Sequence, residues 1–223
     1  MDQKNGYQYD VFISYPHGEG DEEVSDWVQG VFYKYFKHCL TNSILGRKVE
    51  VHLDTEAIQT GAKWDNLLRE ALARTKVLVP IFSINYFGSM YCRAEFAVFL
   101  HREKELGYWE RGKQGSLIVP VHLWGIEDTF PEIAKKYQYL QCKKYSHVRE
   151  DSPLYGEFKS YLEPKILTLA ETVNAAPEWN PAWCEKEWLD DPINAAEASR
   201  VLWPPKEVPY SLRSMAWDGG LHG

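Results

Sequence analysis

Val77-Leu78-Val79-Pro80-Ile81-Phe82, the connection Ser83-Ile84-Asn85-Tyr86-Phe87-Gly88, and then Ser89-Met90-Tyr91-Cys92-Arg93-Ala94-Glu95 read as strand, loop and helix start. The first six residues form the most apolar run of the chain, as expected of a strand covered on both faces. The helix is expected over residues 91–106, because Tyr91, Val98, Phe99 and Leu106 recur at helical spacing. Glu95 lies on that same stripe. An ionised carboxylate turned toward a core or a cleft is costly without a partner. Two readings are open at this point. Glu95 is either bonded to a turn or paired with an arginine such as Arg102, or it serves a ligand.

Upstream, YDVFISY (residues 9–15) is a short buried strand with contiguous Val11, Phe12 and Ile13. The loop Pro16-His17-Gly18-Glu19-Gly20 follows, with Asp21 as N-cap and Glu22 and Glu23 in the first helical turn. Val24, Trp27, Val28, Val31, Phe32, Tyr35, Phe36 and Cys39 then keep the i, i+3, i+4, i+7 pattern of an amphipathic helix. Residues 49–53 form a second strand that ends at Asp54. The loop DTEAIQTGAK leads from it to a helix marked by Trp64, Leu67, Leu68, Ala71 and Leu72.

Downstream, HREKELGYWERGKQG closes the helix of Glu95 and reads as a solvated charged loop. LIVPVHL (residues 117–123) is the fourth strand. A short helix near residues 131–136, a weak fifth strand over 139–142 and a long helix through Leu154, Phe158, Leu162, Ile166 and Leu169 complete the pattern. Strands alternating with helices give an α/β fold, a parallel sheet with helices on both faces. For a flavodoxin-like five-stranded order 2-1-3-4-5, strand order reverses between the first and third strands, and ligands bind at that edge. Ser14 and Tyr15 end the first strand there, and Glu95 would point toward the same cleft.

The chain has 223 residues and a net charge of −7, so no basic face for duplex nucleic acid is expected. Cys39, Cys92, Cys142 and Cys184 are far apart and show no metal-ligand spacing, which suits free thiols in a reducing compartment. The opening MDQKNGYQYD has no apolar signal-peptide core, and no apolar run is long enough for a bilayer. A cytoplasmic protein that binds neither membrane nor nucleic acid is expected. His17 and His52 are isolated, and neither is read as a metal ligand. No glycine-rich dinucleotide or phosphate loop is present. Composition divides the chain into a domain over 1–173 and a Trp- and Pro-rich C-terminal extension over 174–223. The extension holds five of the nine tryptophans and eight acids against four bases. Either it packs back on the domain, partly ordered, or its tryptophans dock a partner.

Three boxes on these elements resemble those of the Toll/interleukin receptor (TIR) domain, bacterial NAD-cleaving type. YDVFISY resembles the family's opening box, and DTEAIQTGAKW resembles the loop after its second strand. SMYCRAEF resembles the S-x-W-C-x-x-E box, with Tyr91 where the family usually has Trp. The similarity covers about residues 7–172. It implies cleavage of the nicotinamide–ribose bond of NAD+, with Glu95 as the catalytic residue. It also implies NAD+ as substrate rather than resident cofactor, self-association through TIR surfaces and a role in anti-phage defence signalling; with no recognisable sensor domain in the sequence, a separate effector or sensor protein is expected. Family members that act only as interaction scaffolds often lack this Glu. Tyr91 is then either a stacking platform for a ring of the substrate or a core aromatic. Asp54 either binds a ribose hydroxyl or orders its loop, and Trp64 is either a ligand contact or core. A phosphate or ribose would lie at Ser14 and Tyr15. Two further readings compete. A receiver domain with Asp54 as phosphoacceptor has its Asp after the wrong strand. A nucleoside deoxyribosyltransferase-like enzyme would also place a Glu at a ribose.

Overall fold

The computed structural model describes residues 6–53, 66–110 and 115–198. Five strands, β1 (Tyr9–Ser14), β2 (Val51–Leu53), β3 (Thr75–Phe82), β4 (Val121–His122) and β5 (Leu140–Gln141), form one parallel sheet in the order β2-β1-β3-β4-β5. The expected fold class and strand order are therefore observed. In the central pair Val11 stands opposite Val77, Phe12 opposite Leu78 and Ser14 opposite Pro80.

Side chains alternate across the sheet and feed two apolar layers. Val11, Ile13, Val77, Val79, Ile81 and Val121 face one layer, with helices α1 (Glu22–Trp27), α2 (Tyr33–Ser43) and α5 (Tyr155–Asn174). Phe12, Leu78 and Phe82 face the other, with α3 (Asn66–Ala73), α4 (Met90–Glu105) and α6 (Lys186–Ala198). The long period from Val24 to Cys39 forms a helical run as expected, with a π-helical turn over Val28–Phe32 between α1 and α2.

Several elements differ from expectation for identifiable reasons. The fourth strand is only a bridge between Leu78 and Ile118 followed by two residues of β4. Pro80 and Pro120 have no N–H to donate, so the ladder between β3 and β4 is interrupted there. Residues 131–136 yield one 3₁₀ turn over Ala134–Lys136. Leu67, expected on the apolar stripe of α3, is 72 % exposed. The charged stretch after Glu95 is not wholly solvated. Arg102 and Glu103 are both buried. Glu103 accepts hydrogen bonds from the Leu117 N–H (2.6 Å), the Ser116 hydroxyl (2.6 Å) and the Tyr137 phenol (2.6 Å), and so moors the segment that leads into β4. Burial and this carboxylate push the Tyr137 phenol up.

The described part of the extension is built onto α3 and α4. The Trp183 ring is buried over the Arg102 guanidinium at 4.3 Å, and the Trp188 indole donates to Glu105 at 2.8 Å. Trp179 donates to the Ala73 carbonyl, and Arg69 pairs with Asp190 at 2.7 Å. These tryptophans are engaged within the chain, which leaves only Trp203 and Trp217, outside the described residues, for the docking reading. The described part of the extension carries one α-helix, α6, which begins at Lys186. Among the described residues no helix is long and apolar enough to cross a membrane.

At the sheet edge away from the strand C-termini, buried Asp10 binds Arg47 at 2.6 Å, Lys76 at 2.9 Å and the Glu50 N–H at 3.1 Å. Burial alone would raise its pKa, but these donors together hold the carboxyl below the usual carboxylate range. A folded-state pKa below the unfolded value adds stability that is present above the unfolded pKa and lost as pH falls through the folded one. Asp10→Asn is therefore expected to lower the urea midpoint at pH 7. The gap from wild type should narrow once pH drops below about 4, the ordinary aspartate value. A gap that stays constant down to pH 2.5 would mean that the charge on Asp10 contributes nothing.

Candidate active site

The strand order reverses between β1 and β3, and their C-terminal ends form one rim. From β3 the chain makes a short turn in which the Gly88 and Ser89 N–H groups donate to the Asn85 carbonyl at 2.9 and 3.0 Å. A Cβ on Gly88 would meet that carbonyl oxygen at 3.2 Å, so the turn is closed tightly enough to disfavour a side chain there. Ser89 caps α4 in an extended conformation, its hydroxyl accepting from the Cys92 N–H. Because α4 then runs back across the sheet, its first two turns stay at the rim. That places Glu95 beside the end of β1.

Glu95 is 1 % exposed, and its Oε2 accepts a hydrogen bond from the Ser14 hydroxyl at 2.5 Å. The Tyr86 hydroxyl lies 2.8 Å from Ser14 Oγ and 3.4 Å from the Cys92 carbonyl. Arg102, the expected structural partner of Glu95, is engaged elsewhere. It lies two helical turns further along α4 and donates to the carbonyls of Thr75, Leu72 and Ala73 at 2.6, 3.0 and 3.3 Å.

The other expected site residues divide into three cases. Ser14 meets Glu95 because it shares the face of Phe12. Tyr15 takes the opposite face with Val11 and Ile13. Its hydroxyl there accepts from Gln29 Nε2 at 3.0 Å, and its ring lies 4.1 Å from that of His17. The structure therefore does not bring Tyr15 to Glu95. Tyr91 is half-buried one turn before Glu95, packed at the edge of the layer that holds Phe96 and Phe99. Asp54 and Trp64 lie outside the described residues.

Two contacts were not anticipated. Periodicity places Tyr86 only in a connection, although an aromatic in a loop at the switch point is a signal that marks it. Asp21 occupies the N-cap position of α1 but makes no side-chain cap bond. Its carboxylate instead accepts from Asn85 Nδ2 at 2.9 Å, which ties the loop after β1 to the loop after β3. Burial pushes the Asp21 carboxyl up, against the effect of that hydrogen bond.

A surface cleft of about 720 Å³ lies along α1, the π-helical turn and the segment after β5, lined by Glu23, Asp26, Trp27, Trp124, His147 and Arg149 among others. Neither Ser14 nor Glu95 lines it. Among the described residues no group of three or more His, Cys, Asp or Glu side chains could hold a metal ion. What the rim offers chemically is a desolvated carboxylate held by a hydroxyl donor, suited to opposing positive charge that develops nearby.

No curated protein matches the chain. Among solved structures, one similar chain comes from the TIR domains of the activated Roq1 resistosome that directly recognises the pathogen effector XopQ. It is 22 % identical, with 75 % of this chain and 82 % of that chain covered and a TM-score of 0.31. The family model of the TIR domain matches residues 11–154, from β1 to the residue before α5. With that match over well more than half its length, this chain belongs to the TIR domain family.

Proposed function

We propose that the chain cleaves the nicotinamide–ribose bond of NAD+, as a hydrolase or an ADP-ribosyl cyclase, with Glu95 as the catalytic residue. The observation that carries this reading is the Glu95 carboxylate set at the rim between β1 and β3 and held there by Ser14. Nicotinamide in NAD+ is already a cationic leaving group, so its departure needs no general acid. The transition state resembles an oxocarbenium ion, with positive charge growing at the ribose C1′. One carboxylate beside the sugar can stabilise that charge, half of the two-carboxylate arrangement of glycosidases. Tyr91, half-buried one turn earlier, is placed to stack on a ring of the substrate. NAD+ is then a substrate, and no resident cofactor takes part. Signalling in anti-phage defence, a cytoplasmic location, self-association through TIR surfaces and a separate effector or sensor protein belong to the same reading.

One observation favours a second reading, a non-catalytic TIR interaction module. Glu95 is almost wholly covered, and the sizeable cleft lies along other residues. Incubating the protein with NAD+ over a range of protein concentrations and assaying free nicotinamide by mass spectrometry separates the two. Release that rises with protein concentration more steeply than first order supports an enzyme that works as an assembly. No release at any concentration favours the scaffold.

A further inference from the structure

Ser14, Tyr86 and Glu95 come from three elements: the end of β1, the turn after β3 and the second turn of α4. All three side chains are buried. Their contacts can be assigned a direction by counting protons. An ionised carboxylate has no proton to give, and a serine and a tyrosine have one each. Ser14 spends its proton on Glu95 Oε2, so toward Tyr86 it can only accept. Tyr86 then has a choice between Ser14 Oγ at 2.8 Å and the Cys92 carbonyl at 3.4 Å, and the shorter contact is the better bond. Run in reverse, the chain of bonds would have to end on the longer Cys92 contact.

The phenol is equipped to be a permanent donor. Burial first, then the neighbouring Cys92 and Glu95, push it well above its ordinary value, so it stays protonated. Its ring is wedged between Phe82 and Phe87, with centroids 5.0 and 5.1 Å away, which fixes where the hydroxyl points.

We propose that Tyr86 and Ser14 form a one-way hydrogen-bond relay, Tyr86 to Ser14 to Glu95, that positions the Glu95 carboxylate, and that Ser14 is a positioning residue and not a contact to substrate. The relay supplies a desolvated charge with a donor that is itself polarised by a second donor, and bonds in such chains strengthen one another. Its effect on kinetics rests on the NAD+-cleaving reading. Its effect on the carboxylate itself does not.

The test uses the full chain with Ser14→Ala, Ser14→Thr and Tyr86→Phe. The infrared difference between wild type and Glu95→Gln at neutral pH isolates the carboxylate stretch of Glu95. Ser14→Ala is expected to shift that band, Tyr86→Phe to shift it the same way by less, and Ser14→Thr, which keeps the hydroxyl, to leave it near the wild-type position. A band unmoved by Ser14→Ala overturns the relay, as does one moved equally by Ser14→Thr. In the NAD+ assay, Ser14→Ala should lower kcat about tenfold or more, the worth of a hydrogen bond to a charged group, with KM within about twofold. A raised KM at unchanged kcat would make Ser14 a substrate contact and overturn the proposal. If wild type releases no nicotinamide, the NAD+-cleaving reading fails, and the infrared band still decides the relay.

Discussion

Glu95→Gln is expected to lower kcat for nicotinamide release by about 10³-fold, roughly 4 kcal/mol of transition-state stabilisation, the upper range for removing one electrostatic contact at a reacting centre. The substitution isolates charge. Glutamine has the same shape as glutamate, and its amide oxygen can still accept from Ser14 at the position of Oε2. What it lacks is the full negative charge that opposes the cation growing at C1′. KM should change little, because ground-state NAD+ carries no extra charge at that carbon for the carboxylate to meet. Folding should survive, since the variant removes a desolvated charge and leaves its volume and donor in place. The urea midpoint and the near-ultraviolet circular dichroism check that point beside the kinetic assay. Wild-type turnover in this variant would end the catalytic assignment of Glu95 and place the chemistry on another group.

Arg102→Ala is expected to cost about 4 kcal/mol of stability, near the top of what a single core substitution does. The guanidinium is fully buried and bonds three carbonyls where α3 passes into β3, while its face stacks on Phe99 at 4.7 Å and on Trp183 at 4.3 Å. Burial lowers its pKa to about 10, still far above neutrality, so the charge is present and faces carbonyl dipoles and aromatic rings, while its Nε has no hydrogen-bond partner among the described residues. Truncation takes a donor from each of these carbonyls, of which Ala73 keeps the Trp179 indole, opens a cavity and strips Trp183 of its contact. The loss should appear in urea denaturation, and limited proteolysis should cut faster after residue 174, because α6 is seated on α4 through this cluster. Arg102→Met restores volume without the donors and should recover less than half of the loss. A midpoint for Arg102→Ala within about 1 kcal/mol of wild type would mean that the extension does not depend on this contact.

Arg102 also shows where reading along the chain falls short. Helical spacing places it on the helix of Glu95, and pairing opposite charges is the simplest guess. Yet residues seven apart on a helix stand two turns apart, and Arg102 reaches instead for carbonyls that no periodicity reveals. Tyr15 was recoverable from sequence, since two residues past Ile13 means the same face, opposite to Ser14. The shortened β4 was also recoverable, because prolines at 80 and 120 remove ladder donors.

Sequence alone determined the order of strands and helices, the buried strands and the rim position of Glu95. These follow from apolar period, turn residues and a box of spaced side chains, all local properties of the chain. Only the tertiary structure decided that Glu95 is held by Ser14, that Tyr86 stands behind Ser14, and that tryptophans of the extension close over Arg102. Those contacts join residues 72 to 81 positions apart in the first two cases and an arginine on α4 to a tryptophan of the extension in the third. A hydrogen bond depends on distances of a few tenths of an ångström, which are set only when separate elements are packed together.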